Sequence, residues 1–466
     1  MILSGNKIHF VSLGCARNLV DTEVMLGIIL RAGYEAIDRV EEADFLVVNT
    51  CGFLEQSRQE SSMTIEELFE KKKKNAKVIV TGCMVQKEGS SLKDKFLGVH
   101  YWLGSGDVEK ILEALEADEA GSAITSARSY LEWGEVPRKL STPKHYAYLK
   151  IAEGCAKRCS FCVIPLIKGP LKSKAESQVL KEFQVLLNQG VHEVILIAQD
   201  LGDFGKERKE KNGLAHLLRK MLAVEKDFWL RLLYLYPDEI DDELIDILAQ
   251  DRRICRYLDM PIQHINNTIL KAMRRKTSKE EIFEIIRKLR SRLPDVIIRT
   301  SLMVGFPGET DAHFQELLDF VKEASLDHVG IFKYSKELDS HSATLPGHLS
   351  EEVKEERFHL LAKAQKAVVK KRNKRYIGTR LSVVVEGFHP DTSLLMRGRF
   401  YGQCPEIDGQ VIINDGRKVK GFGELYEVEI TGFADYDLIG KVLGPSQKLF
   451  ISKAELPLKK SSLSLL

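Results

Sequence analysis

Residues 146–162 read YAYLKIAEGCAKRCSFC, an apolar run that ends in a glycine and opens onto Cys155, Cys159 and Cys162. The run has the length and the β-branched and aromatic character of a buried strand, and Gly154 marks where it turns. Three cysteines at Cys-x3-Cys-x2-Cys spacing in a loop directly after a strand make a compact ligand set. Three thiolates hold three irons of a cubane 4Fe-4S cluster and leave the fourth iron open to an outside ligand. A zinc site or a four-cysteine cluster would need one more ligand close by, and the sequence offers no fourth cysteine near this loop.

Working outward, strand-like runs recur at 146–152, 194–198, 228–234, 257–260, 297–304 and 328–334, with a helical stretch between each pair. That alternation predicts six β/α units with right-handed crossovers, a partial (β/α)6 barrel smaller than the eight-unit form. Ligands in such barrels sit at the carboxyl ends of the strands, which is where the three cysteines fall.

Upstream, runs 8–13, 45–49 and 77–81 read as buried strands, and 19–32 and 63–74 have the apolar spacing of amphipathic helices. A small α/β domain with a mainly parallel sheet is expected. Cys15, Cys51 and Cys83 each stand immediately after one of those strands, beside Gly14, Gly52 and Gly82. Strand ends lie side by side in a parallel sheet, so the three thiols are expected to converge on one edge as a second three-cysteine cluster. The alternative is three independent buried thiols. The lysine run 71–74 reads as a solvated helix terminus whose cations suit the helix dipole.

Downstream, 350–375 opens with glutamates and closes with lysines and arginines, the polarity of one long helix. Beyond Tyr376, short β runs at 381–386, 409–413 and 426–431 punctuated by Gly and Asp predict a small all-β barrel. The chain is therefore expected to be α/β overall. It divides into an N-terminal parallel-sheet domain (1–117), a linker (118–144), the central partial barrel (145–349), a connecting helix (350–375), the C-terminal β-barrel (376–445) and a tail (446–466).

Composition agrees with several cores: 466 residues, 44% of them apolar. Sixty-nine basic against 67 acidic side chains leave a formal charge of +2, which excludes a strongly basic nucleic-acid coat and an acidic disordered protein. The segment 376–441 carries seven Lys and Arg against ten Asp and Glu. An RNA-gripping barrel should be basic, so this acidic one better suits a basic protein partner, the alternative being a charge that only solubilises the domain. The first residues lack the basic start and apolar core of a signal peptide, and no later apolar run reaches the roughly 18 residues of a membrane span. A soluble cytoplasmic protein is expected, with its eight cysteines reduced. Cys255 and Cys404 have no partners at ligand spacing and read as ordinary thiols.

These features together resemble the methylthiotransferases of the radical S-adenosylmethionine (radical SAM) superfamily, over nearly the whole chain. The resemblance implies an enzyme with two 4Fe-4S clusters and S-adenosyl-L-methionine as cofactors, and a TRAM domain at the C-terminus. Cys155, Cys159 and Cys162 would hold the catalytic cluster that cleaves S-adenosylmethionine. Cys15, Cys51 and Cys83 would hold an auxiliary cluster that handles sulfur. Segments 257–264 (YLDMPIQH) and 304–310 (VGFPGET) are similar to family motifs near the cofactor, with Gly305 and Phe161 as cofactor contacts. The opening Ser12–Asp21 and the string Pro405–Gly409 are similar to the branch that modifies an aspartate of ribosomal small-subunit protein S twelve, rather than the branch that modifies adenosine in transfer RNA. Glu406 and Asp408 are then expected to face the basic substrate. An electron donor and a sulfur donor are implied as further partners, and no metal other than iron. Ala156 stands where the family often has asparagine, and Lys168 and Lys174 where it has arginines, keeping the charge but losing bidentate geometry. A non-catalytic ribosome-binding protein with structural clusters is the reading furthest from this, and a three-ligand cluster with one open iron argues against it.

Overall fold

The computed structural model describes residues 6–125, 130–132 and 136–446, so most of the expected tail lies outside the described residues. The N-terminal sheet is fully parallel, with strands in the spatial order Glu35–Ala36, Lys7–Ser12, Phe45–Thr50, Lys77–Gly82, Tyr101–Gly104, Gly121–Ala123. Winding reverses between Lys7–Ser12 and Phe45–Thr50, the switch point at which doubly wound sheets open a crevice. Apolar alternation specifies the three central strands. Three strands escaped the pattern: Glu35–Ala36 is two residues long, Tyr101–Gly104 is only four, and Gly121–Ala123 lies in the stretch read as linker. Gly, Ser and Ala are poor strand formers, so only the ladder to Tyr101–Leu103 makes that segment a strand.

The central sheet is also fully parallel, in the order His328–Lys333, Ile297–Val304, Ile254–Asp259, Trp229–Leu232, Glu193–Ile197, Tyr146–Lys150. The edge strands Tyr146–Lys150 and His328–Lys333 do not pair, so this six-unit barrel is open. Alternate residues divide its faces. Ala147, Leu149, Val194, Leu196, Leu230 and Leu232 point outward into the helix layer. Tyr146, Tyr148, Ile195, Trp229, Cys255 and Tyr257 point inward, where they pack against Val20 of the helix Ala16–Arg31 and against Val384 and Cys404 of the C-terminal domain. Both neighbouring domains thus fill the concavity that a closed barrel would fill with its own side chains.

The helix Glu351–Asn373, capped by Ser350, runs along the central domain, with Arg357 bound to Glu309 at 2.5 Å and to Asp311 at 2.6 Å. It leads to a closed five-stranded barrel formed by Arg380–His389, Thr392–Arg399, Val411–Asp415, Glu424–Ala434 and Asp437–Pro445. Two strands went unseen in the sequence: Thr392–Arg399 exposes Ser393, Leu394 and Arg397, and Asp437–Pro445 is diluted by Gly440, Gly444 and Pro445, poor strand formers. No described helix is long and apolar enough to cross a membrane.

Buried charges orient the domains. Glu193 binds Arg231 at 2.6 Å and Arg399 at 2.9 Å; Arg399 also binds Glu386 at 2.8 Å, and Glu386 meets His145 at 2.9 Å. Burial alone would push the Glu193 carboxyl up, but the two guanidinium groups outweigh it and bring it down to about 2. Asp408 corrects the expectation of an acidic docking face. Its side chain is 2% exposed, accepts the Tyr257 hydroxyl at 2.7 Å and lies 3.5 Å from Arg299. Glu406 is outside that core but still accepts from Tyr146 at 3.2 Å. The Asp408 carboxylate is turned into the domain interface, whereas Glu406 stays exposed.

Removing Arg399 leaves Glu193 and Glu386 underpaired in the interface, so Arg399→Ala should destabilise the docked state by about 3–5 kcal/mol. Hydrogen exchange along Arg380–His389 and denaturant midpoints measure this, and an unchanged midpoint would refute it. Because the folded carboxyl of Glu193 is depressed, its contribution is complete above pH 4.5 and is lost as pH falls toward 2.

Candidate active site

Three strand ends build the first centre. The register Thr50↔Gly82 puts Cys51 and Cys83 side by side, and Gly14 comes so close to Cys51 that a Cβ there would stand 3.1 Å from its sulfur. Gly82, at φ +103, turns the chain into Cys83 where a Cβ would lie 2.4 Å from the Thr50 carbonyl. Asn18 ties the three loops together: its amide donates to the Leu13 carbonyl at 3.1 Å and the Thr50 carbonyl at 2.9 Å, and its Oδ1 receives the Cys83 thiol at 3.5 Å. Cys15 is the N-cap of the helix Ala16–Arg31 and Cys83 begins the helix Cys83–Lys95, so both sulfurs sit at the positive ends of helix dipoles. Burial pushes the Cys83 thiol up to about 12. Burial acts on Cys15 too, but the Arg17 guanidinium and the amides of Asn18 and Arg17 outweigh it and lower that thiol.

The second centre is the loop after Tyr146–Lys150. The amides of Lys157 and Ile164 donate to the sulfurs of Cys155 and Cys162, each at 3.4 Å. Arg275 donates to the Cys159 sulfur at 3.5 Å, with its guanidinium 4.1 Å above the Tyr236 ring. Burial pushes the thiols of Cys155 and Cys162 up, to about 12 and about 11. Two sets of three soft donors with N–H groups aimed at sulfur fit iron–sulfur clusters, whose binding must displace the thiol protons.

The two centres face each other. Cys83 packs on Val163 and Ile167, immediately beyond Cys162. Arg17 crosses from the first centre to the second, donating to the Ala198 carbonyl at 2.9 Å over the ring of Tyr234 at 5.0 Å. Ion pairs lock this interface: Lys168 reaches Asp21 at 3.2 Å and Glu153 at 2.8 Å, and Arg58 and Lys87 both bind Glu337, at 2.8 and 2.7 Å. Lys168 is thus engaged in domain docking, and Lys174 is paired with Glu182; neither lysine points to a cofactor contact.

Beside Cys155, the oxygens of Asp200, Asp203 and Glu239 lie within 4.8 Å of one another. The Lys157 ammonium occupies the middle, 3.3, 3.5 and 2.5 Å from them. Burial, aided by Asp203, pushes Asp200 up to about 7, against the pull of Lys157, which lies 3.3 Å from its Oδ2. Next to it the Gln199 side-chain amide is buried with no hydrogen-bond partner among the described residues, which leaves a polar group for a ligand with hydroxyls.

Phe161 packs with Ile269, Met273, Phe306 and Tyr334, filling the core beneath the loop. Gly305, at φ +77, leaves room for Lys354, and its amide donates to Glu309 at 3.1 Å. His264 of the 257–264 motif lies 3.4 Å from that same Glu309, so the two motifs interlock. Asp259 holds Arg299 at 2.8 Å. Cys255 and Cys404 are buried in the interdomain core, away from both centres. Sequence reasoning missed Arg17, Asn18, Tyr234, Tyr236 and Arg275. The first four follow a strand end or a cysteine in the chain and Arg275 follows the helix Asn267–Ala272, a weak signal without the crossover that brings them together.

Known proteins match the same layout. Residues 7–104 match the uncharacterized protein family UPF0004, 149–321 the radical SAM superfamily and 377–443 the TRAM domain. Among solved structures, the radical S-adenosylmethionine methyltransferase TsrM from Kitasatospora setae shares the fold with a TM-score of 0.54 at 17% identity, over 72% of this chain and 76% of that one. The chain is 65% identical over 441 residues to the ribosomal protein uS12 methylthiotransferase RimO of Protochlamydia amoebophila, covering 94% of this chain and 93% of that one. RimO of Chlamydia felis is 55% identical over 442 residues, and RimO of Syntrophotalea carbinolica 42% over 447. Identity of this order along almost the full length places the chain in the RimO family of methylthiotransferases, enzymes of the radical SAM superfamily.

Proposed function

We propose that this enzyme adds a methylthio group to the β-carbon of an aspartate in ribosomal protein uS12, using two 4Fe-4S clusters and S-adenosylmethionine. The observation that carries the reading is the apposition of two three-cysteine centres from different domains across Arg17. Its substrate comes from the relatives, which are named for uS12.

When bound at Cys155, Cys159 and Cys162, a 4Fe-4S cluster with S-adenosylmethionine supplies one-electron chemistry that removes hydrogen from an unactivated carbon. The chain's own residues prepare for it. Amides of Lys157 and Ile164 and the Arg275 guanidinium neutralise charge on the three sulfurs. Phe161 and the Gly305 turn shape the apolar wall on which an adenine can rest, and Gln199 and Asp200 offer the polar groups for a ribose. Cys15, Cys51 and Cys83 would hold the auxiliary cluster, which would supply sulfur chemistry, with Arg17 and two helix N-termini placed to offset its negative charge. In this division the unit 1–117 carries sulfur, 145–349 generates the radical and 376–445 closes the barrel. An electron donor and a sulfur donor complete the cycle, and a ribosomal substrate puts the reaction in the cytoplasm.

Cys155→Ala should abolish formation of 5′-deoxyadenosine by the reduced enzyme; normal cleavage would remove that centre from the reading. Replacing Cys15, Cys51 and Cys83 together by Ala should halve the iron content and keep cofactor cleavage while losing methylthiolation. A triple variant that still transfers the group would show the auxiliary centre to be dispensable. The substrate is decided by incubating reduced enzyme, S-adenosylmethionine and sulfide with uS12 or with transfer RNA. A mass gain of one methylthio group on a uS12 aspartate is expected; modification of adenosine alone would move the enzyme to the other branch.

A further inference from the structure

We infer that Arg17 is the receptor for the substrate's carboxylate, the group that selects an aspartate for modification. The inference rests on the reading of a protein aspartate as substrate.

Arg17 stands in the first turn of the helix Ala16–Arg31, two residues after Cys15. One Nη donates to the Ala198 carbonyl at 2.9 Å, just past the end of the strand Glu193–Ile197, and the guanidinium face lies 5.0 Å from the centre of the Tyr234 ring. Tyr234 is itself held in place. It has φ +63, a left-handed conformation that a bulky aromatic residue adopts only where its surroundings enforce it. Its amide donates to Asp259 at 3.2 Å and its carbonyl accepts from Leu201 at 2.9 Å. A strained, doubly tethered ring thus serves as the platform under a guanidinium.

That guanidinium lacks what its neighbours have. Arg231, Arg299, Arg357 and Arg399, around the same sheet, each hold a carboxylate at 2.5 to 2.9 Å. Arg17 pairs with no carboxylate among the described residues; the groups that feel its charge are the thiols of Cys15, Cys51, Cys83 and Cys162 and the Tyr234 hydroxyl. A partly buried, always charged fork that gives one hydrogen bond to the Ala198 carbonyl and another to the Cys15 sulfur, with one face stacked, keeps further N–H donors for a carboxylate.

Location supplies the rest. A carbon that loses hydrogen at one centre and gains sulfur from the other must sit between them, where Arg17 crosses. In aspartate the carboxylate is one bond from the β-carbon, so holding it fixes that carbon to within a bond length. The carboxylate is unchanged by the reaction, so a binding group suffices there. Asparagine has the same shape but no charge to meet the fork.

The test measures binding by the cluster-loaded full-length enzyme of uS12 carrying Asp or Asn at the modified position, without reductant. Wild type should prefer the Asp form roughly 10-fold or more, the size of one charge-assisted contact. Arg17→Gln should bind both forms alike, and Arg17→Lys, which keeps the charge without the fork, should keep part of the preference. Iron content and S-adenosylmethionine affinity are measured on each variant, and Arg17→Lys carries the test if the Gln variant does not fold. An undiminished Asp preference in the variants overturns the inference. With it, loss of half the iron would leave Arg17 as a counter-ion of the auxiliary cluster and nothing more, and weaker cofactor binding would make it a cofactor contact. Wild type that methylthiolates uS12 yet binds Asp and Asn forms equally also overturns it, leaving the proposed function standing. Failure to modify uS12 at all defeats the substrate reading instead.

Discussion

Six parallel strands are too few to close a barrel, and the rest of this structure follows from covering what that leaves open. The inner face carries Tyr146, Tyr148, Trp229 and Tyr257, large rings that would each expose substantial apolar area. Burying such a side chain is worth about 1.5–3 kcal/mol, so the open face is a strong acceptor for another domain. Two domains answer: the helix Ala16–Arg31 enters from the cysteine-bearing side, and the C-terminal barrel enters with Val384, Cys404 and Arg399. The covering helix begins at Cys15, so the packing that closes the barrel also delivers the first centre to the second.

Apolar packing is not directional, and buried charge supplies the orientation. Glu193, Arg231, Arg399 and Glu386 fix the C-terminal barrel, while Lys150, Lys168, Asp21 and Glu153 fix the N-terminal domain near the cysteines. Desolvating such charges costs much of what their attraction returns, so their value lies in making every other docking leave an unpaired ion inside. This explains why the arginine-to-lysine departure at Lys168 is tolerable: a point charge between two carboxylates needs no planar fork. It also explains Asp408, whose acidic neighbourhood in the sequence suggested a docking surface but whose carboxylate serves Tyr257 and Arg299.

Legibility in the sequence followed the range of the interactions. Strands such as Ile297–Val304 and the whole cysteine arrangement were readable because a period of two and a residue directly after a strand are local features. The six-unit count was readable for the same reason. Gly121–Ala123 was not, since its only claim to be a strand is the neighbour it pairs with. Nor was Arg17, whose partners Ala198 and Tyr234 are far away in the chain. Asp408 was misread because a residue's formal charge says nothing about the direction in which it points.

Both sheets meet at their carboxyl edges, and this apposition gives the site its electrostatic character. Each edge gathers helix N-termini and free amides, groups that favour anions. Lys157 and Arg275 add cationic charge on one side and Arg17 and Lys168 on the other. Four cations around six thiol ligands are more than domain docking alone requires. They are what two clusters of thiolate-bound iron, each a net anion, would need in order to sit in a region from which water is largely excluded. Of the four, Lys157 is surrounded by carboxylates and Lys168 lies between two, while Arg275 rests on a sulfur and a carbonyl. Arg275 and Arg17 share an aromatic platform, a sulfur and a carbonyl, with no acid among the described residues, and Arg17 differs in standing between both centres, where a substrate would meet it.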